Sequence, residues 1–120
     1  MGPVKFQHNI YYHPEKLGFE IIADVDIAEM YSFNMLVVWR EKATGKLYYA
    51  LDSGCSCPSP FEWVTDTDDL TLIAPLTFDH FLRNMSQWLS GRGQQEIYTE
   101  IRNKVKAALN AISKKGGTSV

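Results

Sequence analysis

Nowhere in the 120 residues is there a run of about eighteen uncharged apolar residues, so no segment reads as a membrane-spanning helix. The N-terminus also lacks a basic stretch leading into an apolar one, the pattern of a secretion signal. A cytoplasmic protein with no membrane partner is therefore expected. Cysteine is scarce: Cys55 and Cys57 are the two, with one residue between them, too close to staple distant parts of the chain. Reduced thiols are the expectation. Glycine-rich phosphate loops of either common kind are absent, as are internal repeats and low-complexity tracts. The acid-rich Thr65-Asp66-Thr67-Asp68-Asp69 lacks the glycine and terminal glutamate of a calcium-binding EF-hand loop, and it reads as a solvated turn in which Asp or Thr caps local amides.

What the chain does have is 45% apolar and 12% aromatic residues, enough for one core and too few residues for two, so a single domain over 1–120 is expected. Residues 1–18 form no clean period, and Pro14 forbids a long helix there, which leaves an irregular N-terminal arm. From Phe19 to Asp26 apolar and acidic residues alternate as in a half-buried strand, with Phe19, Ile21, Ala23 and Val25 on one face. From Tyr31 to Arg40 the alternation gives way to apolar residues on both faces, the mark of a central strand covered on two sides. A polar connection containing Gly45 leads into a third strand at 47–51, making an antiparallel meander. A short extended piece follows at 70–75, and the sheet as a whole is placed at 19–75. Three strands with an apolar face need a cover. Helices expected over 77–115 supply it: one runs from an N-cap at Thr77 through Phe78, Phe81, Leu82, Met85, Trp88 and Leu89 until Gly91 and Gly93. The other carries the stripe Tyr98, Ile101, Val105, Ala108 and Ile112, and residues 116–120 form a frayed tail. Strands first and helices last define an α+β fold, a three- to four-stranded antiparallel meander with a C-terminal helical hairpin packed on it.

The net charge of −2 hides an asymmetry: residues 1–80 hold five basic and twelve acidic residues, whereas 81–120 hold seven basic and two acidic. Arg102, Lys104, Lys106, Lys114 and Lys115 lie mostly off the apolar stripe, so a nucleic-acid partner and an ordinary solvated helix face both stay open. The stripe itself reads as core, although a heptad-like seam can also serve a homodimer or a host helix. The most unusual stretch is Asp52-Ser53-Gly54-Cys55-Ser56-Cys57-Pro58-Ser59-Pro60-Phe61, a small-residue loop with both cysteines and two of the five prolines. Zinc would require a four-ligand shell, and the single residue between the cysteines is shorter than zinc-site spacing; His8, His13 and His80 show no spacing that completes it. No cofactor is implied. A thiol nucleophile at Cys55 or Cys57 would need a histidine base and an oxyanion hole that no spacing in the sequence supplies. Recognition by a loop on a rigid scaffold fits better, and the expected contact surface comprises Asp52, Ser53, Cys55, Cys57, Pro58, Pro60, Phe61 and Trp63.

On Tyr31-Ser32-Phe33, Val37-Val38-Trp39-Arg40, Gly45-Lys46-Leu47-Tyr48-Tyr49-Ala50 and above all the Ser-Gly-Cys-Ser-Cys-Pro-Ser-Pro-Phe run at 53–61, the chain resembles a family of short proteins of unknown function encoded by bacteriophages of actinobacteria. The resemblance covers roughly residues 9–61, with a looser match beyond. It implies a small phage-encoded protein in the cytoplasm of an infected bacterium and assigns no catalytic residue; the unusual loop on its scaffold points to an accessory protein that binds a host or phage macromolecule, a protein above all. A metal- or thiol-dependent protein using Cys55 and Cys57, and nucleic-acid binding through the basic helix, stand as the alternatives.

Overall fold

The apolar run inside residues 32–41 becomes the best-buried strand of the sheet, because it is apolar on both faces. A computed structural model describes residues 5–55, 59–90 and 94–118, with side chains as far as residue 112. Cys57 and Pro58, the glycines Gly91 and Gly93, and Ser119 and Val120 of the expected tail lie outside the described residues, as do the side chains of Lys114 and Lys115. Strands β1 (Phe19–Asp26), β2 (Ser32–Glu41), β3 (Leu47–Cys55) and β4 (Thr71–Ile73) form one antiparallel sheet in the order β1-β2-β3-β4. Helices α1 (Phe78–Leu89) and α2 (Gln95–Thr118) follow, so the fold is α+β. The chain divides into two compact units, Met1–Leu72 and Ile73–Val120.

Pairing of β1 with β2 alters the expected faces. Ile21 stands opposite Trp39, but Ala23 stands opposite Val38, so the register shifts by one residue at Ile22. Side chains alternate with a period of two, and one inserted residue therefore flips the rest of the strand. Phe19 and Ile21 share a face with Trp39, whereas Ala23 and Val25 turn to the opposite face with Val38 and Leu36. The expectation that all four share one face is corrected by this bulge. Asp24 and Asp26 consequently join the face that carries Val37 and Met35.

β2 answers the expectation of two-sided burial: Leu36, Val37, Val38 and Trp39 are all fully buried. The face of Phe33, Met35, Val37 and Trp39 is packed, within its own unit, against Ile10 of the arm and Phe61, Val64 and Leu70 of the segment after β3, with Phe6, Tyr11 and Leu17 at the margin. Within this unit, that packing comes from irregular segments. The arm itself ends in a short 3-10 turn, Pro14–Leu17, stopped by Gly18, whose φ of 81° is a left-handed conformation that glycine adopts without steric cost. Lys42 N–H donates to Gly18 O across 2.8 Å and ties this turn to the start of the β2–β3 connection.

The second unit is an α-helical pair. Phe81, Met85 and Leu89 are buried along α1 at steps of four, and Ile101, Val105 and Leu109 along α2 at the same step. Leu109 was not in the expected stripe; Ala108 and Ile112 are only partly buried. The two helices touch one another. Thr77 does not cap α1 as expected: its hydroxyl turns back to Ala74, accepting from Ala74 N at 2.9 Å, and so closes the turn Pro75–Thr77 that precedes the helix.

Candidate functional site

The segment first read as a loop from Asp52 begins as a strand. Ser32, Phe33, Asn34 and Met35 of β2 face Cys55, Gly54, Ser53 and Asp52 of β3, so the first four residues of the cysteine-proline stretch are held in the ladder. Asp52 shares a face with Met35, and its carboxylate does local work. Oδ2 accepts from Phe61 N at 2.8 Å and Oδ1 from Ser53 N at 2.9 Å. Residues 52 and 61 are thereby tied together at the two ends of the segment.

Phe61 was expected on the contact surface, and this is corrected. Its side chain is fully buried and its φ of 63° is left-handed, a conformation that costs a residue with a Cβ about 1–2 kcal/mol. Burial of the ring offsets that cost: it stands edge-on to Trp39 with centroids 5.2 Å apart, and full burial of a phenylalanine is worth about 1.5–3 kcal/mol. Trp39 in turn donates its indole N–H to Ile10 O at 3.1 Å. Asn9 closes the ring of contacts: its Nδ2 donates to Pro60 O at 2.9 Å, and its Oδ1 accepts from Tyr11 N at 2.7 Å and Tyr12 N at 3.0 Å. Arm and segment are joined again by Phe6 N donating to Thr65 O, and by Lys5 Nζ on the buried carboxylate of Asp66 at 3.1 Å. A cavity of about 240 Å³ remains along this seam, between Phe6, His8 and Asn9 on one side and Phe61, Glu62 and Val64 on the other.

The result is a string of rings that starts and ends in solvent. Tyr12, 54% exposed, lies 5.4 Å from Tyr11; Tyr11 lies 5.8 Å from Phe61; and Phe61 lies 6.5 Å from Trp63, 47% exposed. Tyr11 is fixed by its hydroxyl, which donates to Asp24 Oδ2 at 2.9 Å. Burial, followed by that hydrogen bond, pushes its pKa up to about 12, so it remains a donor at neutral pH. Beside Ser32, at the start of β2, the β1–β2 connection presents Met30 and Tyr31, 80% and 82% exposed, with Tyr31 at a left-handed φ of 66°.

Charge is sorted along the sheet. Arg40, Lys42 and Lys46 cluster at the β2–β3 connection, Arg40 paired with Glu20, and Lys5 and Lys16 border a cavity of about 500 Å³ beside Phe19 and Glu41 at that end. Toward the opposite end lie Asp24, Asp26, Glu29 and Asp52, with Glu62 next to Trp63. Among the described residues none of these five is in an ion pair. Asp26 spends Oδ1 on Ala28 N and Asn34 N, and Glu62 accepts from Ser59 N.

Of the remaining expected contact residues, Ser53 and Cys55 are exposed at the end of β3, and Pro60 is partly buried beneath the Asn9 bond. Trp63 keeps an exposed face, whereas Asp52 and Phe61 hold the segment in place. The acidic turn caps local amides as expected, although Asp66 is buried rather than solvated: Asp66 accepts from Asp68 N, and Asp69 accepts from Thr65 N, Thr65 Oγ1 and Asp66 N, bonds that hold the Asp69 carboxyl below its usual range, the one from Thr65 N foremost. His8 and His13 stand edge to face at 5.9 Å within the arm, and His80 is exposed on α1. No group of three or more His, Cys, Asp or Glu among the described residues is placed to hold a metal ion. On α2, Arg102, Lys104 and Lys106 are exposed, with Lys104 paired to Glu100 at 3.2 Å and Arg102 donating to Asn103. Sequence reasoning missed Asn9, Ile10, Tyr11 and Tyr12; the available signal was an asparagine followed by three large apolar or aromatic residues in a segment with no period.

No helix among the described residues is long and apolar enough to cross a membrane. No curated protein and no solved structure matches the chain. A family model does match it across residues 8–115, from the arm through the sheet to α2, and the chain therefore belongs to the family described as a domain of unknown function (DUF7574).

Proposed function

We propose that this protein is a non-catalytic accessory protein, encoded by an actinobacterial phage, that binds a host or phage protein through the surface carrying Tyr12, Trp63 and the end of β3. The observation that carries this reading is the string of four rings, whose two inner members are packed and whose outer members stand half in water. An aromatic ring held rigidly by buried neighbours contributes contact area at little conformational cost, which is why such residues dominate interface energetics. The segment between Asp52 and Phe61 is tied at both ends by hydrogen bonds, so it presents its exposed members from a fixed base. The phage context rests on the resemblance of the 53–61 run.

Site-specific photo-crosslinking tests the reading. A benzoyl-phenylalanine is placed at position 63 and, in a second variant, at position 46 in the β2–β3 connection, and both are expressed in actinobacterial cells. The expected outcome is one discrete adduct from position 63 that position 46 does not give. Identical adducts from both positions, or none from position 63, would sink it.

A further inference from the structure

The cavity of about 500 Å³ beside the start of β1 is lined by none of Tyr12, Trp63 and the end of β3, so what it can bind is independent of the contact proposed above. Its volume falls in the range of about 300–1,000 Å³ that small-molecule sites occupy. Phe6, Leu17 and Phe19 give it an apolar wall, with the rings of Phe6 and Phe19 edge to face at 5.9 Å. The rest of the lining brings donors, among them the ammonium groups of Lys5 and Lys16, the amide of Gln7 and the hydroxyl of Thr67.

Charge gathers here against the balance of the unit. Residues 1–72 hold five basic and eleven acidic residues, yet all five cations stand on this lining or next to it. Lys5 and Lys16 line the cavity, and Arg40 precedes Glu41, a lining residue that pairs with Phe19. Lys42 N–H donates to Gly18 O, and Lys46 O accepts from Glu41 N at 2.9 Å. The carboxylates of this end are mostly engaged: Glu20 by Arg40, Glu41 by the Thr44 hydroxyl at 2.6 Å, Asp66 by Lys5 and Asp68 N, and Asp69 by Thr65. Asp68, exposed beside Thr67, accepts no hydrogen bond among the described residues. Lys16, Lys42 and Lys46 form no ion pair among them. A concave site with cations in excess of free carboxylates concentrates anions.

We propose that this cavity binds a small organic anion, its phosphate or carboxylate group held by Lys16 and Lys5 and its flat apolar body lying against Phe6, Leu17 and Phe19. An ammonium has three donors, so Lys5 can keep its bond to Asp66 and still meet the ligand. Inorganic phosphate leaves the apolar wall uncovered, and a neutral ring leaves the ammonium groups without a counter-charge. Only a molecule that joins the two gains from both.

An NMR titration of the full ¹⁵N-labelled chain with phenyl phosphate, benzoate, phenol and inorganic phosphate tests this. Phenyl phosphate or benzoate is expected to shift the amides of residues 5–8, 16, 17, 19, 41 and 67, and to bind about tenfold or more tightly than phenol or inorganic phosphate. The tighter of the two names the charged group. Lys16→Gln changes an exposed residue in no ion pair and is expected to weaken that ligand by about threefold or more, with Lys16→Arg restoring it to within about twofold. Lys46→Gln removes the same charge from the same end but not from the lining, and a loss below about twofold is expected. Shifts confined to other residues, no binding of either joined probe, phenol or inorganic phosphate binding as tightly, or equal losses in Lys16→Gln and Lys46→Gln would each overturn the proposal. The adduct from position 63 reports on the other surface, so its presence or absence leaves this result unchanged.

Discussion

Phe61 and Trp63 stand two residues apart in one irregular segment, and the fold treats them oppositely. Phe61 is driven into the core at a left-handed φ, pinned through its amide by Asp52 and roofed by Tyr11 and Trp39. Trp63 packs one edge against Phe61 and leaves nearly half of its surface in water. The inner ring fixes the segment, and the outer ring is what the segment displays. Composition alone could not separate them, since both are large aromatics beside prolines; what separates them is which one the strand face beneath can receive.

The sharpest way to break this contrast is to empty the inner site. Phe61→Ala removes a fully buried ring and is expected to cost about 3–5 kcal/mol, read from the chemical denaturation midpoint. A loss below about 1 kcal/mol would mean that Phe61 is not the anchor. Next in size is the tie that holds it: Asp52→Ala leaves the amides of Phe61 and Ser53 without their acceptor, and about 1–3 kcal/mol of destabilisation is expected in the same measurement. Asp52→Asn, which keeps one acceptor oxygen, should lose less.

Much of the scaffold was legible in the sequence. β-branched and aromatic runs at 19–26 and 32–40, a polar connection with Gly45, and the step-of-four spacing of Phe81, Met85 and Leu89 gave the meander and α1 directly, because each is a local signal. The bulge at Ile22 was not legible, since it exists only in the pairing with β2. Nor was the extension of β3 through Asp52-Ser53-Gly54-Cys55, whose residues have little strand preference of their own and are held by Ser32 to Met35 across the ladder. The cover over Trp39 was missed for a related reason. Ile10 and Phe61 belong to no periodic segment, and only the contact between two irregular stretches buries them. Of the residues expected on a contact surface, Trp63, Ser53 and Cys55 are exposed and Phe61 is buried, while the exposed Tyr12 was not among them.

A smaller effect probes the link between the inner and outer rings. The Tyr11 hydroxyl has its pKa raised from 10.0 to about 12 by burial and by its bond to Asp24. A group whose folded pKa lies above its unfolded one contributes stability that is fully present below the unfolded value and is lost as pH rises through the folded one. Stability is therefore expected to fall between about pH 10 and pH 12, and in Tyr11→Phe that alkaline fall should be shallower. Denaturation midpoints taken across that range check it; parallel curves for the two proteins would show that the Tyr11 hydroxyl is not raised by its burial and its bond to Asp24.

The smallest expected effect on stability is the most informative about function. Trp63→Ala removes a half-exposed ring that lies 6.5 Å from Phe61, so its stability should change by about 1 kcal/mol or less, far below the loss in Phe61→Ala. If Trp63 is displayed for a partner, the same change should still weaken capture of that partner by about tenfold or more, measured with the protein crosslinked through position 12 in place of position 63. The two numbers together separate the inner from the outer ring. A destabilisation as large as that of Phe61→Ala would make Trp63 a second anchor, and unchanged stability with unchanged capture would make it a bystander on a scaffold whose contact lies elsewhere.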